Sequence, residues 1–238
     1  MKWIDSITGA AKSLLDVICP DVCTVCGERL VNGEEVLCIN CLLHMPVTGI
    51  HSGGNSELHQ RLASTHYYTD RAAAMMWYYR DSDYARLIHD AKYNHRPRVA
   101  RTLAAMYGRQ LTGCGFFDGI DVIIPVPLHF SRLISRGYNQ AEVIARAISS
   151  VTGIKVKDNI VCRRAHSTQT RKGVAARDTN AREAYSIIRP GELDGLHVLL
   201  IDDVITTGAT LRACLDLIAA NCTASRTSVL TLAAARMQ

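Results

Sequence analysis

The sequence has no apolar run of the roughly 18 residues that a membrane-spanning helix needs. It also has no G-x-x-x-x-G-K-[ST] phosphate loop, no internal repeat and no low-complexity tract. Gly113, Gly115 and Gly119 follow a helical pattern and precede an apolar run, the wrong setting for a dinucleotide-binding fingerprint. The first twenty residues lack the unbroken apolar stretch of a signal peptide. Trp3, Ile4, Ile7, Ala11, Leu14, Leu15 and Ile18 fall at helical spacing, but Asp5, Lys12 and Asp16 interrupt them. That pattern predicts an amphipathic helix packed on its own protein. Membrane-spanning and secreted classes are thereby set aside, and a cytoplasmic protein is expected. Disorder is set aside as well. With 48% hydrophobic and 21% charged residues in 238, the chain can bury a core of normal size without disulfides.

Positive charge is scarce in the first quarter and abundant after it. Residues 1–60 hold three basic residues (Lys2, Lys12, Arg29) against seven acidic ones, while the whole chain has 27 Lys and Arg against 22 Asp and Glu. The excess concentrates in two stretches. Arg86 to Arg109 contains six basic residues opposed only by Asp90, and Arg163 to Arg182 six opposed only by Asp178. Such stretches are either solvated faces or surfaces for polyanions: phosphorylated metabolites, nucleic acid or acidic lipid.

Nine cysteines are present, five of them between Cys19 and Cys41. Cys23-Thr24-Val25-Cys26-Gly27 is followed, after an eleven-residue gap between the pairs, by Cys38-Ile39-Asn40-Cys41. Two C-x-x-C pairs at this separation match tetrahedral zinc ligation, because each two-residue spacer lets one tight turn aim both sulfurs at one ion. Asn32-Gly33 is a turn signal that returns the second pair to the first. Disulfides or plain buried thiols are the competing readings, and without a secretion signal disulfides are disfavoured. Four thiolates close the coordination shell, so the metal is expected to be structural. Cys19 is a spare, and His44 is a rival ligand. Met45 to Gln60, with Pro46, Gly49, Gly53, Gly54 and Asn55, reads as a linker, which divides the chain into residues 1–60 and 61–238.

Beyond Ser64, apolar runs alternate with helical patterns. Ala72–Tyr79 reads as a strand or a short buried helix. Asp83–Asn94, Pro97–Leu111, Asn139–Val151 and Ala209–Ala220 read as helices. Asp121–Val126, His197–Ile201 and Thr227–Leu232 read as strands. The alternation predicts an α/β domain with a mainly parallel sheet, in which ligands bind beyond the carboxyl ends of strands. One such end is dense in chemistry. Val198-Leu199-Leu200-Ile201 buries a strand; Asp202 and Asp203 follow; Val204-Ile205 lead into Thr206-Thr207-Gly208-Ala209-Thr210, which opens a helix. Carboxylates there can accept hydrogen bonds from a vicinal diol such as the ribose hydroxyls. Backbone N–H groups at the helix start, with the threonine hydroxyls, can hold a phosphate, and Gly208 lets the backbone come close. Together these features describe a ribose-5-phosphate site.

The thirteen residues Val198–Thr210 resemble the phosphoribosyl-pyrophosphate (PRPP) motif of type I phosphoribosyltransferases. Pro125-Val126-Pro127-Leu128 with Arg132 and Arg136-Gly137-Tyr138-Asn139-Gln140 resembles the "PVPL…R…RGFNQ" block of the ComF/GntX family. Gln169-Thr170, Arg177, Asn180 and Ala184-Tyr185 resemble that family's "QT…R..N…AF" block, Lys92-Tyr93 its Lys-Tyr pair, and the four-cysteine ribbon its N-terminal module. Tyr138 and Tyr185 stand in for Phe, and Arg171-Lys172 for a Gly-Leu pair. The resemblance implies a type I phosphoribosyltransferase fold behind a zinc ribbon, with PRPP and Mg²⁺ bound. Asp202 and Asp203 are then the catalytic acids, and Thr206, Thr207, Gly208, Ala209 and Thr210 hold the ribose phosphate. Pro127, Leu128, Arg132 and Arg136 take the pyrophosphate, while Gln169, Arg177 and Asn180 lie in a lid (Ala165–Ala184) over the acceptor. Family membership also implies a link to DNA uptake in natural transformation, with single-stranded DNA and a helicase-like competence protein as partners. Tyr78, Tyr79, Tyr93 and Tyr107 would then be available for base stacking, although core packing is the better reading for most of them.

Overall fold

The computed structural model describes residues 20–51, 56–64, 66–93, 96–163, 184–223 and 226–236. The expected N-terminal helix, Cys19 and the residues Gln169, Arg177 and Asn180 lie outside them. The elements in chain order are α1 (Ile39–Leu43), α2 (Glu57–Leu62), β1 (Thr69–Tyr78), α3 (Ala85–Tyr93), α4 (Pro97–Thr112), β2 (Val122–Pro125), α5 (Phe130–Arg136), α6 (Gln140–Thr152), β3 (Lys155–Val156), β4 (Ile160–Cys162), β5 (Tyr185–Ile187), β6 (His197–Ile205), α7 (Ala209–Asn221) and β7 (Arg226–Ala235). Five strands form one sheet in the order β1-β7-β6-β2-β3, and every pair in it is parallel. A separate antiparallel pair joins β4 to β5.

The central strands are apolar on both faces because helices cover both. Along β6, Leu199 and Ile201 join Ile123 and Leu230 against α3, α4 and α6. Val198 and Leu200 join Val122, Ile124 and Val229 against α2 and α7. The helices follow from the same logic. In α4, Pro97 sits in the first turn, where its fixed φ suits the helix, and Val99, Ala100, Leu103, Ala104, Tyr107 and Leu111 make one buried stripe. The Asn139 side chain accepts from the Ala141 N–H at 3.1 Å to start α6, and Gly153 ends that helix at φ +77°. Ala72–Tyr79 is a strand, not a helix: it pairs with β7 from Thr69 to Tyr78. Tyr107, considered for base stacking, is 2% exposed and belongs to the core.

Two features differ from the expectations. First, β6 does not stop at Ile201. It pairs with β7 through Asp202, Val204 and Ile205, so the two acids sit within the strand and not just beyond it. Second, residues 46–50, within the segment read as a linker, are tied to the sheet. Residues 46–50 run along the open edge of β1: Trp77 N–H donates to Pro46 O (2.7 Å), Thr48 N–H to Met75 O (3.1 Å) and Ala74 N–H to Ile50 O (3.2 Å). An edge that would otherwise offer unpaired backbone groups is thereby covered. The segment then enters α2, where Leu58 and Leu62 are buried in the core beside β1; residue 60 falls inside this helix.

The cysteine-rich module is packed on the domain. Val25, Val36, Leu37 and Met45 belong to the same apolar cluster as α3 and α4. The Tyr84 hydroxyl donates to Cys41 O (2.7 Å) and Arg86 to Val25 O (3.0 Å). Asp21 pairs with Arg98 (3.4 Å), and the Thr102 hydroxyl donates to Glu35 (2.7 Å).

Candidate functional site

The C-terminal end of β6 opens directly into the turn Thr206-Thr207-Gly208 and then α7. Gly208 holds φ +80° as the N-cap, with no side chain capping the helix. The first N–H groups of a helix have no partner within it, so here they face the turn. Asp202, Val204, Ile205, Thr206, Thr207, Gly208, Ala209, Thr210 and Leu211 line a hollow of about 240 Å³, its open mouth included. Asp202 and all five residues assigned to the ribose phosphate are thus brought together.

Two arginines set the orientation of this turn. Arg61, on α2, donates to Thr206 O at 3.2 Å. Arg212, one turn into α7, donates to Thr207 O at 2.7 Å and to Arg61 O at 2.5 Å. In a trans peptide the carbonyl and the next N–H point in opposite directions. Tying the carbonyls of 206 and 207 to arginines on the outside therefore turns the N–H groups of Thr207 and Gly208 inward. Arg61 is itself buried and paired with Glu57. Gly208 cannot be replaced freely: a Cβ there would lie 3.0 Å from Arg61 O and 3.2 Å from Arg212 Nη1. Neither arginine is in the motif, and only the fold brings Arg61 to it.

The two acids are not equivalent. Asp203 faces α3, where Lys92 Nζ lies 3.0 Å from its carboxylate. Asp202 turns back to accept from the Asp203 N–H at 2.8 Å. Burial and the neighbouring Asp203 carboxylate raise Asp202 from 3.8 to about 7, against the pull of Lys92 and Arg136. Burial pushes the hydroxyl of Tyr185 up, and that hydroxyl shares a hydrogen bond with the side chain of Thr210.

The segment expected to take pyrophosphate leaves β2 beside this end. Val126 N–H donates to Ile201 O at 2.8 Å, so Pro127 and Leu128 start next to β6. The stretch 136–140 is tied to α3. The Tyr138 hydroxyl donates to Ala91 O (2.5 Å), Gln140 Nε2 to Lys92 O (3.5 Å) and Arg136 to Gln140 Oε1 (3.1 Å). Arg136 acts electrostatically on Asp202, while Arg132 is half-buried on α5. That short helix buries none of its residues and exposes Phe130 and Ile134.

The four cysteines converge as the spacing requires. The sulfurs of Cys23, Cys26, Cys38 and Cys41 all lie within 4.8 Å of one another, and Cys26 and Cys38 are 3.7 Å apart. Tetrahedral Zn–S bonds of about 2.3 Å place sulfurs about 3.8 Å apart. Burial opposes ionisation of Cys23, but N–H groups of Cys26, Cys38 and Val25 directed at its sulfur prevail and hold it at about 6. The donor set fits zinc. His44 is not in the cluster; its Nδ1 bonds Asn40 O at 2.8 Å.

Residues 112–236 match the model of the phosphoribosyl transferase domain. Competence protein F of Haemophilus influenzae is 31% identical over 199 residues, 79% of this chain and 74% of that protein. DNA utilization protein YhgH of Salmonella typhimurium is 27% identical over 207 residues, 84% and 85% of the two chains. Among solved structures, the glutamine PRPP amidotransferase of B. subtilis is 18% identical with a TM-score of 0.40, covering 60% of this chain and 30% of that one. A purine phosphoribosyltransferase of Pyrococcus horikoshii is 20% identical with a TM-score of 0.36, covering 56% and 72%. The chain belongs to the phosphoribosyl transferase domain family, within the group that includes competence protein F. Among the described residues no helix is long and apolar enough to cross a membrane.

Asp202 generates a prediction without any ligand. Its raised folded value favours the neutral acid, so its contribution to stability is full below about 3.8 and is lost as pH rises through about 7. Asp202→Asn keeps the acceptor for the Asp203 N–H and cannot ionise. Thermal melts between pH 4 and pH 8 are expected to show the variant gaining on the wild type as pH rises to 7, with no further gain above it. A gap that is the same at every pH contradicts the assignment.

Proposed function

We propose that the hollow at the end of β6 binds the 5-phosphate and ribose of PRPP and that the protein transfers the phosphoribosyl group to a nucleophilic acceptor. The observation that carries this reading is the phosphate turn, whose carbonyls are held outward by Arg61 and Arg212 while the helix-start N–H groups face the hollow. In the proposed complex those N–H groups and the hydroxyls of Thr206, Thr207 and Thr210 hold the 5-phosphate. Asp202 and Asp203 accept from the 2′ and 3′ hydroxyls. Arg132 and Arg136, with the Pro127-Leu128 loop, take the pyrophosphate, since arginine suits bidentate phosphate contacts. The acceptor's lone pair forms the bond to the anomeric carbon as the bond to pyrophosphate breaks, its electron pair leaving on pyrophosphate oxygen. Positioning and electrostatics suffice, and no nucleophilic side chain is needed. The oxygen ligands available at the strand end are the carboxylate of Asp202 and the threonine hydroxyls, a set that suits Mg²⁺. Held largely by the ligand's own oxygens and water, the ion supplies charge neutralisation on the leaving group. Gln169, Arg177 and Asn180 complete the proposal as lid residues toward the acceptor.

Calorimetric titration of PRPP with Mg²⁺ into the full chain tests the binding step. The wild type is expected to bind. Gly208→Ala, which forces a side chain into positive φ against Arg61 O, is expected to weaken binding about five- to thirtyfold, the loss that about 1–2 kcal/mol of turn strain produces. No heat from correctly folded wild type sinks the reading. Release of pyrophosphate on adding candidate amines or bases tests the transfer step separately.

We infer further that the four-cysteine cluster holds one structural zinc ion. Elemental analysis is expected to find one zinc per chain, and Cys26→Ser to lose the metal and lower the melting temperature. A metal-free wild type that melts no lower contradicts this role.

A second reading, handling of single-stranded DNA with a helicase-like partner, rests on the names of the relatives and on Arg101 and Arg109. These two have no ion pair among the described residues, unlike Lys92, Arg96 and Arg98, which pair with Asp203, Asp90 and Asp21. Salt-dependent binding of single-stranded DNA that persists in Gly208→Ala favours this reading over the first.

A further inference from the structure

The ion pair between Lys92 and Asp203 carries a consequence for what the site accepts. Its nitrogen and oxygen are 3.0 Å apart, and the side chains are only 22% and 16% exposed, so water screens the pair poorly. Lys92 stands on the last turn of α3, and its position is not accidental. The carbonyls of Ala91 and Lys92 are gripped by Tyr138 and Gln140, and Gln140 is in turn bound by Arg136. One short stretch therefore sets the backbone that carries Lys92 and also bears Arg136. Lys92 and Arg136 both act on Asp202.

Resting on the phosphoribosyl reading above, we propose that Lys92 is a ligand-sensing cation that makes the site selective for a metal-bound sugar diphosphate over a sugar monophosphate. The reasoning is one of partner exchange. Without ligand, Asp203 and Lys92 neutralise each other. A phosphorylated sugar arriving without a divalent cation attracts Lys92 but leaves Asp203 bare beside Asp202. A divalent cation arriving alone takes Asp203 but releases Lys92 into the same small space. A metal-bound diphosphate supplies both halves at once: Asp203 exchanges the ammonium for the hydroxyls and the hydrated cation, and Lys92 exchanges the carboxylate for a diphosphate oxygen. Every charge keeps a partner only in that case, which matters because a half-buried charge stripped of its partner is costly. A ribose 5-phosphate fills the turn at Thr206–Thr210 but gives Lys92 no second phosphate to move to. Lys92 thus couples metal and diphosphate binding.

Calorimetry on the full chain tests this, with Mg²⁺ alone, PRPP with EDTA, PRPP with Mg²⁺, and ribose 5-phosphate with and without Mg²⁺. In the wild type, Mg²⁺ is expected to raise PRPP affinity about tenfold or more, within the usual range for coupled sites, and to raise ribose 5-phosphate affinity less than about threefold. Lys92→Met is expected to bind Mg²⁺ alone more tightly, to lose about tenfold in affinity for PRPP with Mg²⁺, and to lose most of the coupling. Lys92→Arg keeps a cation at the same distance from α3 and is expected to retain most of it. Should Lys92→Met fail to fold, Lys92→Gln, which also removes the cation and leaves Asp203 in place for the ligand, is expected to show the same loss of coupling. Wild type that binds PRPP, with coupling unchanged in Lys92→Met or, in its place, Lys92→Gln, overturns the role given to Lys92 and leaves the phosphoribosyl reading intact. Wild type that binds no PRPP overturns both.

Discussion

The geometry of the site depends on where two peptide carbonyls point. Thr206 and Thr207 leave the sheet at a sharp turn, and their carbonyls need partners once water is displaced. Arg61 and Arg212 supply those partners on the outer side. Because N–H and C=O oppose one another in a peptide, the N–H groups of Thr207 and Gly208 point to the inner side. N–H groups presented in this way at a helix start attract an anion. Had the carbonyls faced inward, the same thirteen residues would repel phosphate.

This dependence ties distant parts of the chain to one turn. α2 carries Arg61 at its end and anchors itself through Leu58 and Leu62 in the core. The segment before it seals the open edge of β1. Upstream again, the cysteine module rests on α3 and α4. α3 ends in Lys92, and the backbone of that end is gripped by the stretch that also bears Arg136. A metal held by the four sulfurs would thus stabilise a platform whose far end presents a cation to the acid pair.

Legibility in the sequence followed the range of the interaction. The run from Val198 to Thr210 could be read because its chemistry is local: an apolar strand, two acids and a glycine turn lie in order along the chain. The cysteine pairs could be read for the same reason. Arg61 could not, since it reaches Thr206 across 145 positions, and the contact of Arg212 with Arg61 O spans 151. Only the packing of α2 and α7 brings them together. Acids ordinarily mark a strand's exit from the core, but pairing with β7 extends β6 past them to Ile205. The basic stretch from Arg86 to Arg109 looks continuous in one dimension, but Lys92, Arg96 and Arg98 are each paired with an acid. Within the segment that reads as a linker, residues 46–50 pair their backbone with β1, which no side-chain pattern announces.

The most direct test of the inward-facing turn is amide NMR on the full chain during addition of PRPP and Mg²⁺. The account predicts that the largest shifts fall on the N–H groups of Thr207, Gly208, Ala209 and Thr210, moved as amides move when they donate to an anion. Shifts that leave these four in place and cluster elsewhere, for instance around Arg101 and Arg109, would contradict it.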